Sequence, residues 1–450
     1  MNMTVNTRNV ILDALIEINE KNGFSHIVLS DVLSKYRYLP VEDRSFINRT
    51  VLGTVERKIT IDYVINRFSK VKTNKMKPVI RNILRMSVYH LMYMKGVKEF
   101  AVCNEAVKLA SKRGFSTLKG YVNGVLRNIS REKDNIVYPD KSDTAEYLSI
   151  MYSTPEWIVK KWVDDYSFEC AQEILKSQFS ERPLTIRCNT RNCSKSELSE
   201  KLKNQGIVVN DNLCIEEALE ISDYDSLDKI NEFKNGDFFV QDMSSMLVCH
   251  VSEPHKNDYI IDVCAAPGGK SLHMAEILND TGFVDSRDIS EKKAALIDEN
   301  ILRLGLKNIK SSVKDAVLPD EESKGKADIV IADLPCSGLG ILNKKPDIKY
   351  NATPQKCMEL AELQKEILKT VSEYVKPGGI LCYSTCTINK SENEENVRWF
   401  IKEYPFEIVV ISERVPFEMR RYIDKDGMMQ ILPDSNSNHD GFFITVLKRK

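Results

Sequence analysis

From about residue 236 the chain alternates short apolar runs with helical stretches, and this alternation limits the fold more than any other feature. Apolar runs at Tyr259 to Val263, Gly282 to Asp285, Ile309 to Val313, Asp328 to Ala332 and Ile380 to Tyr383 are separated by helical stretches such as Ser271 to Leu278, Lys292 to Leu304 and Pro354 to Val375. Strands that alternate with helices pack as a parallel sheet with both faces covered, so a doubly wound α/β domain is predicted. FEIVVIS and GFFITVLKR, near the end of the chain, predict two further strands that close an antiparallel edge.

Ligands of such sheets lie beyond the carboxyl ends of the strands. There the segment YIIDVCAAPGGKSLHMAEIL predicts a buried strand, a loop of small residues and a helix. Ala265, Ala266, Gly268 and Gly269 let backbone lie close against a ligand, and the following helix start offers free N–H donors. Asp288, 19 residues after Gly269, falls where α/β nucleotide sites accept hydrogen bonds from ribose hydroxyls. Asp315 and Asp333 end the third and fourth strands. A single such acid would be read as a helix cap or turn residue, but four features in order point to one crevice. The loop is neither GxGxxG nor a Walker A sequence, which weighs against a nicotinamide oxidoreductase or a nucleotide triphosphatase. A single nucleoside ligand such as S-adenosylmethionine needs no pyrophosphate cradle.

Two cysteines are expected beside the same crevice, Cys336 in ADLPCSG after the fourth strand and Cys386 in YSTCT after the fifth. Carbon 5 of a pyrimidine is a poor nucleophile until a thiolate adds at carbon 6, which makes the ring enamine-like and able to attack a sulfonium methyl. A second group must then help remove the carbon 5 proton so that elimination frees the first cysteine. A free thiol has a pKa near about 8.5, so the attacking cysteine needs a site that favours thiolate. Asp333 is placed to hydrogen-bond the ring edge at N3 and N4 while facing the cofactor, and Pro335 restricts Leu334 to an extended conformation. Spacing leaves open which cysteine attacks. The eleven cysteines form no CxxC pair and the six histidines no HExxH, so no metal site or disulfide framework is expected, and most of these thiols should be buried and reduced.

The first 130 or so residues carry apolar positions at helical spacing, among them Val10, Ile11, Ala14, Leu15 and Ile18, then Ile80, Ile83, Leu84, Tyr89, Leu91 and Met92. Breakers at Leu39-Pro40, Lys77-Pro78 and Gly114 separate the periods, which predicts an all-α domain over 1–135. The polar stretch Lys133 to Asp143 reads as a linker. Residues 144–235 mix helical stretches with the short strands LTIRCNT and IVVND and predict a small α+β module, followed by the α/β domain over 236–450.

Sixty-four basic against 65 acidic side chains give a formal net charge of -1, which at first argues against a nucleic-acid partner. The average conceals a polarity. Residues 1–140 hold 24 Lys or Arg against 13 Asp or Glu, a balance of +11, so the remainder carries -12. Within residues 63–98, Arg67, Lys70, Lys72, Lys75, Lys77, Arg81, Arg85, Lys95 and Lys98 occur with no acid, either a solvated helix face or an RNA-backbone contact. No apolar run approaches the roughly 20 residues that span a bilayer. A cytoplasmic monomer with no membrane partner is expected.

The motifs DVCAAPGGK at 262–270, DLPCSG at 333–338 and STCT at 384–387, with VQDMSS at 240–245, KPDIKY at 345–350 and SENEENV at 391–397, resemble the RNA cytosine-C5 methyltransferase family of the NOL/NOP/Sun type. DRSFINRTVLGTVERK, NEAVKLASKRG and GYVNGVLRNI resemble the NusB-like RNA-binding fold. The resemblance implies a NusB-like domain, a middle module and a Rossmann-like class I methyltransferase domain. It also implies S-adenosyl-L-methionine as cofactor and 16S ribosomal RNA as partner, with cytosine 967 as the usual target in the bacterial members. Carried over by motif, Cys386 would attack carbon 6, Cys336 would assist resolution of the adduct, and Asp333 would serve both base and cofactor. Cys264, Ala265, Ala266, Pro267, Gly268, Gly269, Lys270, Asp288, Asp315 and Asp333 would contact the cofactor. Arg287, where many members have a small or apolar residue, would add a cation beside the ribose. Carbon 6 is reached only on an unstacked ring, so the substrate should be a loop, a bulge or an opened helix, with the helical domain holding backbone and the middle module positioning the strand. The rival reading is a NusB-like RNA-binding or antitermination factor with an inactive methyltransferase domain, against which both cysteines being present argues.

Overall fold

A computed structural model describes residues 5–142, 144–212 and 214–450. The chain divides into two compact units, Met1–Gln178 with Leu342–Asn351, and Phe179–Ile341 with Ala352–Lys450.

The first unit is helical, as the periodicity predicts. Its helices include Thr7–Glu20, Val41–Glu56, Lys58–Phe68, Pro78–Tyr93, Glu99–Lys112 and Lys119–Glu132. Pro40 and Pro78 stand at helix starts, where a missing N–H costs nothing, and Glu99–Lys112 stops just before Gly114. One apolar face of each helix meets the others in a core that includes Ile11, Leu15, Ile47, Val51, Ile83, Leu84 and Leu126. The basic run divides. Arg81 pairs with Glu20, and Arg85 bonds Asp62 at 2.6 Å, so both hold helices together, whereas Lys70, Lys72, Lys75, Lys77, Lys95 and Lys98 are exposed.

Helices Thr144–Met151, Glu156–Asp165 and Phe168–Ser177 also belong to the first unit, so the division falls inside the stretch 144–235, at Gln178. The short segment Leu342–Asn351, which contains KPDIKY, joins this unit too. Lys349 is fully buried and donates to the Glu56 carbonyl at 3.0 Å and to Gln178 Oε1 at 3.1 Å. The Tyr350 hydroxyl donates within reach of the carbonyls of Glu56 and Ser153.

The second unit holds two sheets. The smaller comprises β1 (Leu184–Cys188), β2 (Val208–Asp211), β3 (Ala218–Ser222) and β4 (Phe238–Val240), antiparallel in the order β2-β3-β1-β4. β4 lies beyond residue 235 yet pairs with β1, Ile186 facing Val240. The larger sheet comprises β5 (Tyr259–Asp262), β6 (Phe283–Asp288), β7 (Ile309–Val313), β8 (Ala327–Asp333), β9 (Val375–Thr385), β10 (Phe406–Ile408), β11 (Met429–Ile431) and β12 (Phe442–Arg449). Its order is β10-β12-β9-β8-β5-β6-β7, with β11 paired to β12. β5 to β9 are parallel and β12 is antiparallel to both β9 and β10, the antiparallel edge the sequence predicts. Because the strand order reverses around β5, the loops after β5 and β8 leave in opposite directions and open a crevice at their carboxyl ends. No helix among the described residues is long and apolar enough to cross a membrane.

Burial pushes the Lys349 ammonium down to about 7, beside a Glu56 carboxyl that burial raises. The unfolded chain holds that proton up to about pH 10.4, so from pH 7 upward the unfolded state binds more protons and folding stability rises with pH. Urea denaturation of the whole protein at pH 7 and pH 9 should show a gain in stability with pH that Lys349→Met lacks.

Candidate active site

The crevice is built from the ends of five neighbouring strands. After β5 the chain turns through Gly268, whose φ of +106° lies in the left-handed region, and enters the helix Gly269–Leu278. Asp288, the last residue of β6, braces this loop: its Oδ2 accepts from the Ala266 N–H at 2.9 Å, and its Oδ1 accepts from the Ile289 N–H at 2.8 Å and pairs with Lys293 at 3.0 Å. Asp262, which ends β5, is buried and takes a 2.6 Å bond from Ser271 Oγ; burial raises its carboxyl to about 7. Asp315 lies two residues past β7 and accepts from the Val317 N–H at 3.0 Å.

Asp333 ends β8 opposite Ser384 of β9. Its Oδ2 accepts from Lys270 Nζ at 2.6 Å and its Oδ1 from Ser384 Oγ at 2.7 Å. Burial acts to lower the Lys270 pKa, but the Asp333 carboxylate outweighs it and holds the ammonium above its ordinary value. The start of the helix after β5, β8 and β9 are thereby tied through one carboxylate.

The two expected cysteines come together, Cys336 Sγ standing 3.2 Å from Cys386 Sγ. Both loops are pinned from behind. The Gly340 N–H donates to the Cys386 carbonyl at 3.1 Å, and the Gly441 N–H to the Gly340 carbonyl at 2.9 Å. A Cβ on Gly340 would lie 2.1 Å from the Gly441 oxygen, so no other residue fits that crossing. Glu392, wholly buried, accepts from the Ser337 N–H at 2.7 Å, from Ser337 Oγ at 2.5 Å and from Asn389 Nδ2 at 2.7 Å. The hydrogen bond with Cys386, followed by burial, pushes the Cys336 thiol well above its ordinary value.

Arg287 departs from expectation. Alternate residues of a strand face opposite ways, and Arg287 turns from the Asp288 side into a pocket where it bonds Asp285 at 2.8 Å, Asp320 at 3.2 Å and Ser323 Oγ at 2.6 Å, against the Tyr374 ring. Its charge is matched there by the carboxylates of Asp285 and Asp320. Sequence reasoning also passed over Asp262, Ser384 and Glu392. Asp262 and Ser384 lie within or beside quoted motifs, but Glu392 in SENEENV reads as one acid of a solvated helix start. Glu217, His250 and His273, at no recognisable spacing, also meet, with Glu217 Oε1 at 2.8 Å and 3.0 Å from the two imidazole Nε2 atoms. Burial pushes His273 down to about 3, which favours its neutral form beside the Glu217 carboxylate.

Residues 249–448 match the family described as 16S rRNA methyltransferase RsmB/F, residues 5–131 the NusB family, and residues 154–226 the ferredoxin-like domain of RsmF/B-like methyltransferases. A curated relative from Bacillus subtilis (strain 168), "Probable ribosomal RNA small subunit methyltransferase B", is 36% identical over 446 residues, covering 98% of each chain. The chain belongs to the 16S rRNA methyltransferase RsmB/F family. A second relative of the same printed name, from Synechocystis sp. (strain ATCC 27184 / PCC 6803 / Kazusa), is 30% identical over 99% of this chain and 100% of its own. In fold, the chain is similar to PH0851, with a TM-score of 0.82 over 100% of both chains at 24% identity. It is also similar to NSun6 from Pyrococcus horikoshii, solved with SFG, with a TM-score of 0.58 over 66% of this chain and 98% of that one.

The RsmB/F family is S-adenosylmethionine-dependent, and the crevice suits such a ligand. Small residues line the loop at 265–269, acids close β5, β6 and β8, and Asp262 Oδ1 is a buried oxygen without a hydrogen-bond partner. Glu392→Gln should lower kcat about tenfold or more by loosening the turn that carries Cys336, because an amide puts a donor where the carboxylate accepts. Cofactor affinity, measured by calorimetry, should stay unchanged, since Glu392 touches none of the 264–270 loop.

Proposed function

We propose that this rRNA methyltransferase acts on carbon 5 of a cytosine in 16S ribosomal RNA, through a covalent adduct between Cys386 and carbon 6. The observation that carries the reading is the pair of thiols 3.2 Å apart beside the Lys270–Asp333–Ser384 chain. Transfer to a nitrogen or a ribose hydroxyl needs no thiol, whereas carbon 5 chemistry needs one to attack and a second group to release.

In this reading the two sulfurs share a hydrogen bond, and Cys386 attacks as the thiolate. That thiolate adds to carbon 6, and the electron pair of the 5,6 double bond becomes available at carbon 5. S-adenosylmethionine supplies the electrophilic methyl group. Asp333, oriented by Lys270 and Ser384, meets the ring edge at N3 and N4. Cys336 then releases its own proton to solvent, and its thiolate takes the carbon 5 proton, directly or through water; the double bond re-forms and Cys386 leaves as thiolate. Cys264 to Lys270, Asp288, Asp315 and Asp333 hold the cofactor. The region 1–135 grips RNA backbone, 144–235 positions the strand and 236–450 carries out transfer, with cytosine 967 as the target by the family's usual preference.

Incubation with unmodified 16S rRNA and methyl-labelled cofactor tests this: label should appear as 5-methylcytosine, and its absence overturns the reading. Cys386→Ala should abolish transfer without trapping RNA, whereas Cys336→Ala should accumulate a denaturation-resistant protein–RNA adduct. Trapping by the Cys386 variant instead would reverse the roles.

Replacing Lys72, Lys75 and Lys77 together, all exposed, should weaken RNA binding and reduce the slope of log affinity against log salt by about 2, with cofactor affinity unchanged. Filter binding over a salt series measures this, and an unaltered slope would make the run a solvated face only.

A further inference from the structure

Arg187 lies in β1 of the smaller sheet, yet its side chain ends against the cofactor loop. It is fully buried. Nε and Nη2 donate to the two Glu276 oxygens at 3.2 Å and 2.7 Å, on the helix that follows the loop. Nη1 donates to the Gly269 carbonyl at 3.1 Å and to Gln241 Oε1. The guanidinium also lies 5.7 Å from the centre of the Phe239 ring, and a Cβ on Gly269 would come within 3.4 Å of that ring.

A buried ion pair is a costly way to join two elements, because apolar residues of equal volume often hold a fold as well or better. What they cannot supply is a directed donor. Glu276 aligns the planar fork by two bonds, which leaves the other arm aimed at the peptide between Gly269 and Lys270. That peptide opens the helix facing the crevice, and the next side chain, Lys270, reaches Asp333 at 2.6 Å.

We propose that Arg187 is a positioning residue for the cofactor: by holding the Gly269 carbonyl it sets the loop and Lys270 for S-adenosylmethionine, so the smaller sheet forms the back wall of the cofactor site. This rests on the S-adenosylmethionine-dependent reading of the crevice. The four groups involved, Arg187, Gln241, Gly269 and Glu276, come from β1, the segment after β4, and the helix Gly269–Leu278, all within the second unit.

The test is calorimetric binding of S-adenosylmethionine to the full-length protein, alongside separate KM values for cofactor and RNA. Arg187→Lys keeps a cation for Glu276 but loses the second arm. It should raise the cofactor Kd and KM about tenfold, the loss of one charge-assisted hydrogen bond, with the KM for RNA unchanged and the melting profile close to wild type. Should Arg187→Lys fail to fold, the double change Arg187→Met with Glu276→Met, which replaces the pair by apolar side chains, carries the same expectation. A folded variant of either kind that binds cofactor with wild-type affinity overturns the proposal. Failure of the wild-type protein itself to bind S-adenosylmethionine would instead overturn the reading on which the proposal rests.

Discussion

The Asp333 carboxylate is the joint on which the catalytic crevice depends. It accepts from Lys270 on one side and from Ser384 on the other. Those three residues belong to the start of the helix after β5, the end of β8 and the end of β9, and the three strands are neighbours in the sheet. Adjacent strands are about 4.8 Å apart, so side chains at their ends can meet directly without long reaches. Lys270 is almost wholly buried and could not remain charged there without this partner. The same register that sets Asp333 opposite Ser384 carries the chain onward to Cys336 from one strand and to Cys386 from the other.

Around that joint the buried polar groups are arranged in pairs that cross between segments distant in sequence. Glu392 collects donors from the turn after β8 and from its own loop, and Gly340 lets two backbones cross where any side chain would collide. Such networks lose their worth when half satisfied, and here they fix the cysteine loops, although neither is part of a strand or helix. Cys336 is hemmed in by Cys386, burial and the Glu392 charge, all of which favour its neutral form.

Charge is distributed on two scales. The +11 of the first 140 residues and the -12 of the rest cancel in the total, but within the basic run the fold makes a further selection. Arg81 and Arg85 turn inward to Glu20 and Asp62, while the lysines at 70, 72, 75 and 77 stay exposed. Arg287 shows the same selection in the second unit, where the carboxylates of Asp285 and Asp320 match its charge and Ser323 accepts a further hydrogen bond.

Much of this was legible from the residues alone. Apolar periodicity, prolines at helix starts, the small-residue loop, acids at strand ends and two cysteines after successive strands are local patterns, and local patterns follow from backbone geometry that any reader of the chain can apply. They determined the helical and α/β regions, the antiparallel edge and most of the crevice residues. Tertiary structure decided the rest. Leu342–Asn351 packs with the first unit, β4 joins the smaller sheet, Arg287 faces away from the crevice, Glu392 lies beneath Cys336, and Arg187 reaches Gly269 across 82 positions. None of these leaves a periodic trace, because each depends on which buried donor meets which acceptor once distant segments are packed, and an Arg or Glu has the same letter whether it is solvated or buried and paired.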